Sequence, residues 1–96
     1  MTQSKPELAY VSSMLSPRSN RQVANQFIIK AEHGTYFQSY KTIIAYIDKY
    51  GKVFLDTDSW NYSVTTGKYR NAFLGENIAQ TRDKIAEGVY TLINLN

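Results

Sequence analysis

The stretch from Tyr36 to Leu74 constrains the fold more than any other part of the chain. Its first half alternates apolar with polar residues or runs β-branched. Then come the lone Trp60 and Ser63-Val64-Thr65-Thr66-Gly67-Lys68-Tyr69-Arg70, leading into Phe73-Leu74-Gly75. A period of two calls for strand, and hydroxyl side chains ahead of rings spaced i, i+4 call for a helix start. Strands and a helix in so short a span point to an α+β domain. A chain of 96 residues has room for one.

The neighbouring segments extend this pattern. Phe27, Ile29 and Ala31 alternate with Ile28, Lys30 and Glu32, as in a half-buried strand. His33-Gly34 supplies a turn, and residues 36–40 return as its hairpin partner. Residues 42–47 are almost wholly apolar, which predicts a central strand buried on both faces or the bent continuation of the preceding one. A second turn at 48–51 leads to a strand at Val53-Phe54-Leu55. A helix is expected from near Thr65, capped by Ser63, Thr65 or Thr66 and closed by Gly75, with Tyr69 and Phe73 on its inner face. A second helix over roughly 77–87 carries Ile78, Thr81 and Ile85 on one stripe and ends at Gly88, before a last strand over 89–95. The expectation is a small, mainly antiparallel sheet of about 4–5 strands with two short helices packed on it. Trp60, Tyr69, Phe73 and Ile44 should be buried together.

Residues 1–23 read as a separate N-terminal segment before a domain spanning 24–96. Ser4, Pro6 and Glu7 have the spacing of a capping box, and Leu8, Val11 and Leu15 recur at i, i+3, i+7. An extra helix over roughly 5–15 would end at Ser16-Pro17, followed by a basic connector from Arg18 to Gln22. A frayed tail is the alternative.

Composition removes several function classes. There is no cysteine, which excludes disulfides, thiolate-bound zinc and thiol nucleophiles. No apolar run reaches the roughly 18–20 residues of a membrane span, and the first residues lack the basic and apolar regions of a signal peptide. A soluble protein of the cytoplasm is expected, with no membrane partner. Net charge is +3, with the excess in the first 30 residues. That sign excludes an acidic mimic of DNA and is weak support for nucleic-acid binding.

No motif specifies a reaction or a cofactor. The single histidine, His33, lies in a turn, and Glu32 beside it would point to the opposite face of a strand, so a general base is not expected there. Asp56-Thr57-Asp58 lacks the glycine and the distal acid of a calcium loop, so no metal ligands are assigned. Gly67-Lys68 lacks the first glycine and the following hydroxyl of a phosphate-binding loop. The start of that helix still combines free N–H groups with Thr65, Thr66, Lys68 and Arg70. With Arg18 and Arg21 these are the candidate contacts for an anion or nucleic acid. The two helices around Gly75 resemble a helix-turn-helix in spacing, but Asp83 and Glu87 would face phosphates, and a helix packed on the sheet explains them better. Eight tyrosines are many for this length. Alternation should send Phe37 inward and leave Tyr36, Gln38 and Tyr40, with Tyr46, as a candidate protein-binding face.

These residues also carry a resemblance. Tyr36-Phe37-Gln38-Ser39-Tyr40, Ile44-Ala45, Gly51-Lys52-Val53, Trp60-Asn61-Tyr62-Ser63, Thr65-Thr66-Gly67-Lys68 and Phe73-Leu74 together resemble a family of small uncharacterised proteins encoded by bacteriophages and mobile elements. The likeness covers about residues 24–96. It implies an accessory role without catalytic residues, exerted on a host protein in the bacterial cytoplasm. Inhibitors of defence systems such as CRISPR–Cas are one class of that size. A small nucleic-acid-binding module is the alternative function, and an enzyme is not expected.

Overall fold

Strand pairing begins well before residue 24. The computed structural model describes residues 9–96, and among them β1 (Ala9–Leu15), β2 (Gln22–Ala31), β3 (Gly34–Ser39), β4 (Thr42–Asp48) and β5 (Val53–Asp56) precede α1 (Val64–Leu74), α2 (Ile78–Ala86) and β6 (Tyr90–Ile93). All six strands form one sheet in chain order. The first five are antiparallel neighbours, while β6 runs parallel to β5 after the helical crossover. The fold is therefore α+β, with more strands than the 4–5 expected and a mixed sheet.

The expected N-terminal helix is corrected over residues 9–15, and its capping-box residues lie outside the described part. Val11 and Leu15 belong to a strand, because residues 9–13 pair with 27–31 of β2. Ladder bonds to a distant partner override a weak helical spacing. The register shifts between Ser13 and Leu15, and Met14 enters the core there at 9% exposure. β2 itself runs through the 23/24 division read from the sequence.

Register sorts the side chains onto two faces, since laterally paired residues share one. Ile28, Phe37, Ala45 and Leu55 line the first face, with Val53 and Tyr90 two residues along. Both helices cover this face. Phe73 of α1 packs on Phe37 at 5.8 Å between ring centroids, and Thr66 of α1 bonds Ser39 at 3.0 Å. Fully burying Phe37, Ile44 and Leu55 contributes roughly 1.5–3 kcal/mol each. Tyr69 and Ile44 are core residues as expected, and Trp60 and Phe73 pack half-buried against them.

The apolar run at 42–47 has a specific cause. Phe37 pairs with Ala45 but Gln38 pairs with Ile43, so Ile44 is an extra residue in a bulge. Ile44 and Ala45 are consecutive and both enter the helix-covered core. β4 is an inner strand of the sheet, antiparallel to β3 and not its bent continuation, and the bulge buries both residues on the helix-covered side without a second layer.

Helix ends follow local chemistry. The Ser63 side chain accepts the Thr66 N–H at 3.1 Å, and Gly75 ends α1 with a left-handed φ of 70°. Asn77 and Gln80 cap α2 reciprocally at 2.9 Å each.

Candidate functional site

The second face of the sheet carries no helix among the described residues. Across it run Val11, Ile29, Tyr36, Tyr46, Phe54 and Thr91, one from each strand. The rings of Tyr36 and Tyr46 stack at 4.5 Å, and those of Tyr46 and Phe54 at 5.8 Å. The His33 ring meets Tyr36 edge-on, its Nε2 shares a 2.7 Å hydrogen bond with the Tyr36 hydroxyl, and Lys52 places its ammonium 5.3 Å from the Phe54 ring centre. Three rings in offset contact make a continuous, half-buried aromatic ladder with a cation at one end.

Gly34 makes this ladder possible. It pairs with Asp48 beside Tyr46, whose hydroxyl donates to the His33 carbonyl at 2.8 Å. A Cβ on Gly34 would fall 2.5 Å from the Tyr46 ring and 2.8 Å from the Asp48 backbone. The ring thus covers a strand glycine, a packing that suits an aromatic beside a missing side chain.

A different geometry occupies the helical side. An open cleft of about 640 Å³ lies between the loop after Trp60, α1 and α2, and Lys68, Arg70 and Arg82 line it. Arg70 is 1% exposed and stacks its guanidinium 5.3 Å from the Trp60 ring centre. It donates to the Trp60 carbonyl at 2.8 Å and to Asn61 Oδ1 and Asn71 Oδ1 at 3.0 Å each. Burial first, then the neighbouring Arg82 charge, draws its pKa down, while Glu76 acts the other way.

Two carboxylates are held by networks elsewhere. Glu76 accepts from Thr81 at 2.5 Å, Lys84 at 2.7 Å and Tyr90 at 2.5 Å, tying the helix connection to β6. Burial pushes its pKa up, but these bonds outweigh burial and leave it below the ordinary value. Asp56 is likewise raised by burial and lowered more by bonds from Ser59 and Leu95. Among the described residues, no group of three acids, histidines or cysteines stands ready to hold a metal ion.

With both surfaces described, comparison with known proteins gives one result. The model of a family of unknown function, DUF8033, matches residues 10–88. The chain belongs to DUF8033. The matched region takes in most of β1 and both helices, whereas the likeness read from the sequence begins only at residue 24. No curated protein and no solved structure matches the chain.

Within this DUF8033 fold the candidate residues divide. Tyr36, Gln38 and Tyr46 share the open face, and Phe37 points into the core at 0% exposure. Tyr40 lies outside the ladder: it sits in the β3–β4 turn with φ 55° and is 54% exposed. Its carbonyl accepts the Gln38 side-chain amide at 2.7 Å. Of the anion candidates, Lys68 and Arg70 meet at the cleft. Thr66 is buried against Ser39, Thr65 is exposed outside the cleft lining, and Arg18 and Arg21 are exposed at the β1–β2 turn. Phe54 as the third ring and Arg82 as the third cleft cation escape the sequence reading as site residues. Phe54 alternates with Val53 and Leu55, a usable signal, but the Arg82–Arg70 proximity depends on how α2 packs. No helix among the described residues is long and apolar enough to cross a membrane.

Proposed function

We propose that this DUF8033 chain is a non-enzymatic accessory protein of a phage or mobile element that binds a host protein with the open face of its sheet. The ladder of Tyr36, Tyr46 and Phe54 carries this reading. Tyrosine and phenylalanine offer large contact area at little entropic cost, and such rings dominate interface energetics. Lys52 beside Phe54, with exposed Lys49 nearby in the β4–β5 turn, favours a partner that pairs an apolar patch with carboxylates. The phage setting rests on the sequence resemblance, and a component of a bacterial defence system is the first partner to test.

Nucleic acid is the second reading, because the same rings can stack on unpaired bases. Salt separates the two. Counterion release would weaken nucleic-acid binding steeply between about 50 and 200 mM salt, whereas an aromatic protein interface responds far less.

The mutational test uses Tyr36→Lys and Tyr40→Ala, with circular dichroism to check folding. Tyr36→Lys should weaken the partner by about 30-fold or more, the equivalent of a hot spot of about 2 kcal/mol. Tyr40→Ala, outside the ladder, should have a smaller effect. A folded Tyr36→Lys protein that binds its partner like the wild type would remove the sheet face from the account.

A further inference from the structure

We propose that the cleft between the Trp60 loop, α1 and α2 binds a phosphate monoester of mononucleotide size. This site lies on the opposite side of the sheet from the aromatic ladder and stands independently of it. Its lining holds three cations, Lys68, Arg70 and Arg82, and no aspartate or glutamate. Clustered like charges with no carboxylate in the lining repel one another and favour an anion between them.

Arg70 is the strongest pointer. Its side chain is almost fully buried, yet no carboxylate among the described residues lies within ion-pair distance, and its three acceptors, Trp60 O, Asn61 Oδ1 and Asn71 Oδ1, are all neutral. Nε has no hydrogen-bond partner among the described residues. A buried charge is costly unless it is paired, and neutral acceptors offset only part of that cost. Glu76 acts on Arg70 electrostatically but is committed to Thr81, Lys84 and Tyr90. An incoming dianion would supply the missing charge.

The rest of the cleft fits a phosphate joined to an organic group. The first turn of α1, from Val64, adds partial positive charge from its N–H groups. Tyr62, 51% exposed, and Ile78 offer apolar surface next to the cations. A lone inorganic ion would leave that surface unused. Guanidinium groups suit phosphate because their planar donors match its oxygens.

Trp60 provides the readout, since it is the single tryptophan and Arg70 lies against its ring. The full chain is titrated with AMP, adenosine, inorganic phosphate and short oligothymidylates with and without a 5′-phosphate, following fluorescence and calorimetry. AMP should bind saturably and about 10-fold or more tighter than adenosine, because the charge-assisted bonds go to the phosphate. Lys68→Ala with Arg82→Ala, both at exposed positions, should cost about 10-fold or more while the protein stays folded. Inorganic phosphate that competes with AMP supports the site with the phosphate as its recognised part. Preference for the 5′-phosphorylated oligonucleotide supports it with a nucleic-acid end as the source. Equal binding of AMP and adenosine, an unaffected double variant, or no saturation by about 10 mM AMP, weaker than any useful specific contact, would overturn the proposal.

Discussion

At the scale of single residues, two positions decide how well the sheet is made. Gly34 has no room for a side chain, because the Tyr46 ring and the Asp48 backbone occupy the place of a Cβ. Gly34→Ala should therefore cost about 1–3 kcal/mol in denaturant unfolding, the usual range for overpacking, and should disturb the near-ultraviolet signal of the stacked tyrosines. Gln26 presents the opposite case. It is 1% exposed on the helix-covered face, and neither polar atom of its amide has a hydrogen-bond partner among the described residues. Gln26→Met keeps much of the volume and removes the unpaired amide, so stability should rise by about 1 kcal/mol or more. A loss on that substitution would mean the amide is satisfied in solution. Neither residue announces its environment in the sequence. Gln26 reads as a polar position of an alternating strand, and only pairing with Ser39 shows that it lies inside.

At the scale of elements, the helices were more legible than the first strand. Ser63, Gly75 and Gly88 mark helix boundaries through contacts within a few residues, so their chemistry is visible locally. β1 is a strand because β2 lies beside it, and nothing within residues 9–15 encodes that neighbour. The inner face of α1 was legible in Tyr69 and Phe73 but not in its polar members. Its buried residues are Thr66, Gly67, Tyr69 and Arg70, not an apolar stripe, because they serve Ser39 and the Trp60 loop as well as the core. The Glu76 network ties the α1–α2 connection to α2 and β6, and it makes a prediction about acid. Its folded-state pKa lies below the ordinary 4.5, so the network's contribution is present above that value and is lost as pH falls through the folded-state pKa. Asp56 acts in the same direction below its ordinary 3.8. Stability should fall as pH drops below about 4.5, and Glu76→Gln should lower stability at pH 7 while flattening that fall. Parallel acid profiles for the two proteins would show that Glu76 is not held as described.

At the scale of the whole molecule, the two sides of the sheet do different work. One side is closed by helices and holds the core together with a cationic cleft at its margin. The other is left without a helix among the described residues and carries the stacked rings. Alternation in the sequence was enough to separate Phe37 from Tyr36, because a strand's two faces are fixed by its period. Tyr46 is read onto the same face from the sequence, but Phe54 is not, since its place beside Tyr46 depends on the β4–β5 register. The central claim is that this row is the contact surface for a protein partner. Site-specific photo-crosslinking tests it most directly, with the reactive side chain placed either at Gln38 on the open face or at Val64, exposed at the start of α1, in bacteria producing the otherwise unchanged protein. The account predicts one host protein crosslinked from position 38, not from 64, and lost when Tyr36→Lys is added. A crosslinked partner obtained from position 64 but not from 38, or one at 38 that survives Tyr36→Lys, would contradict it.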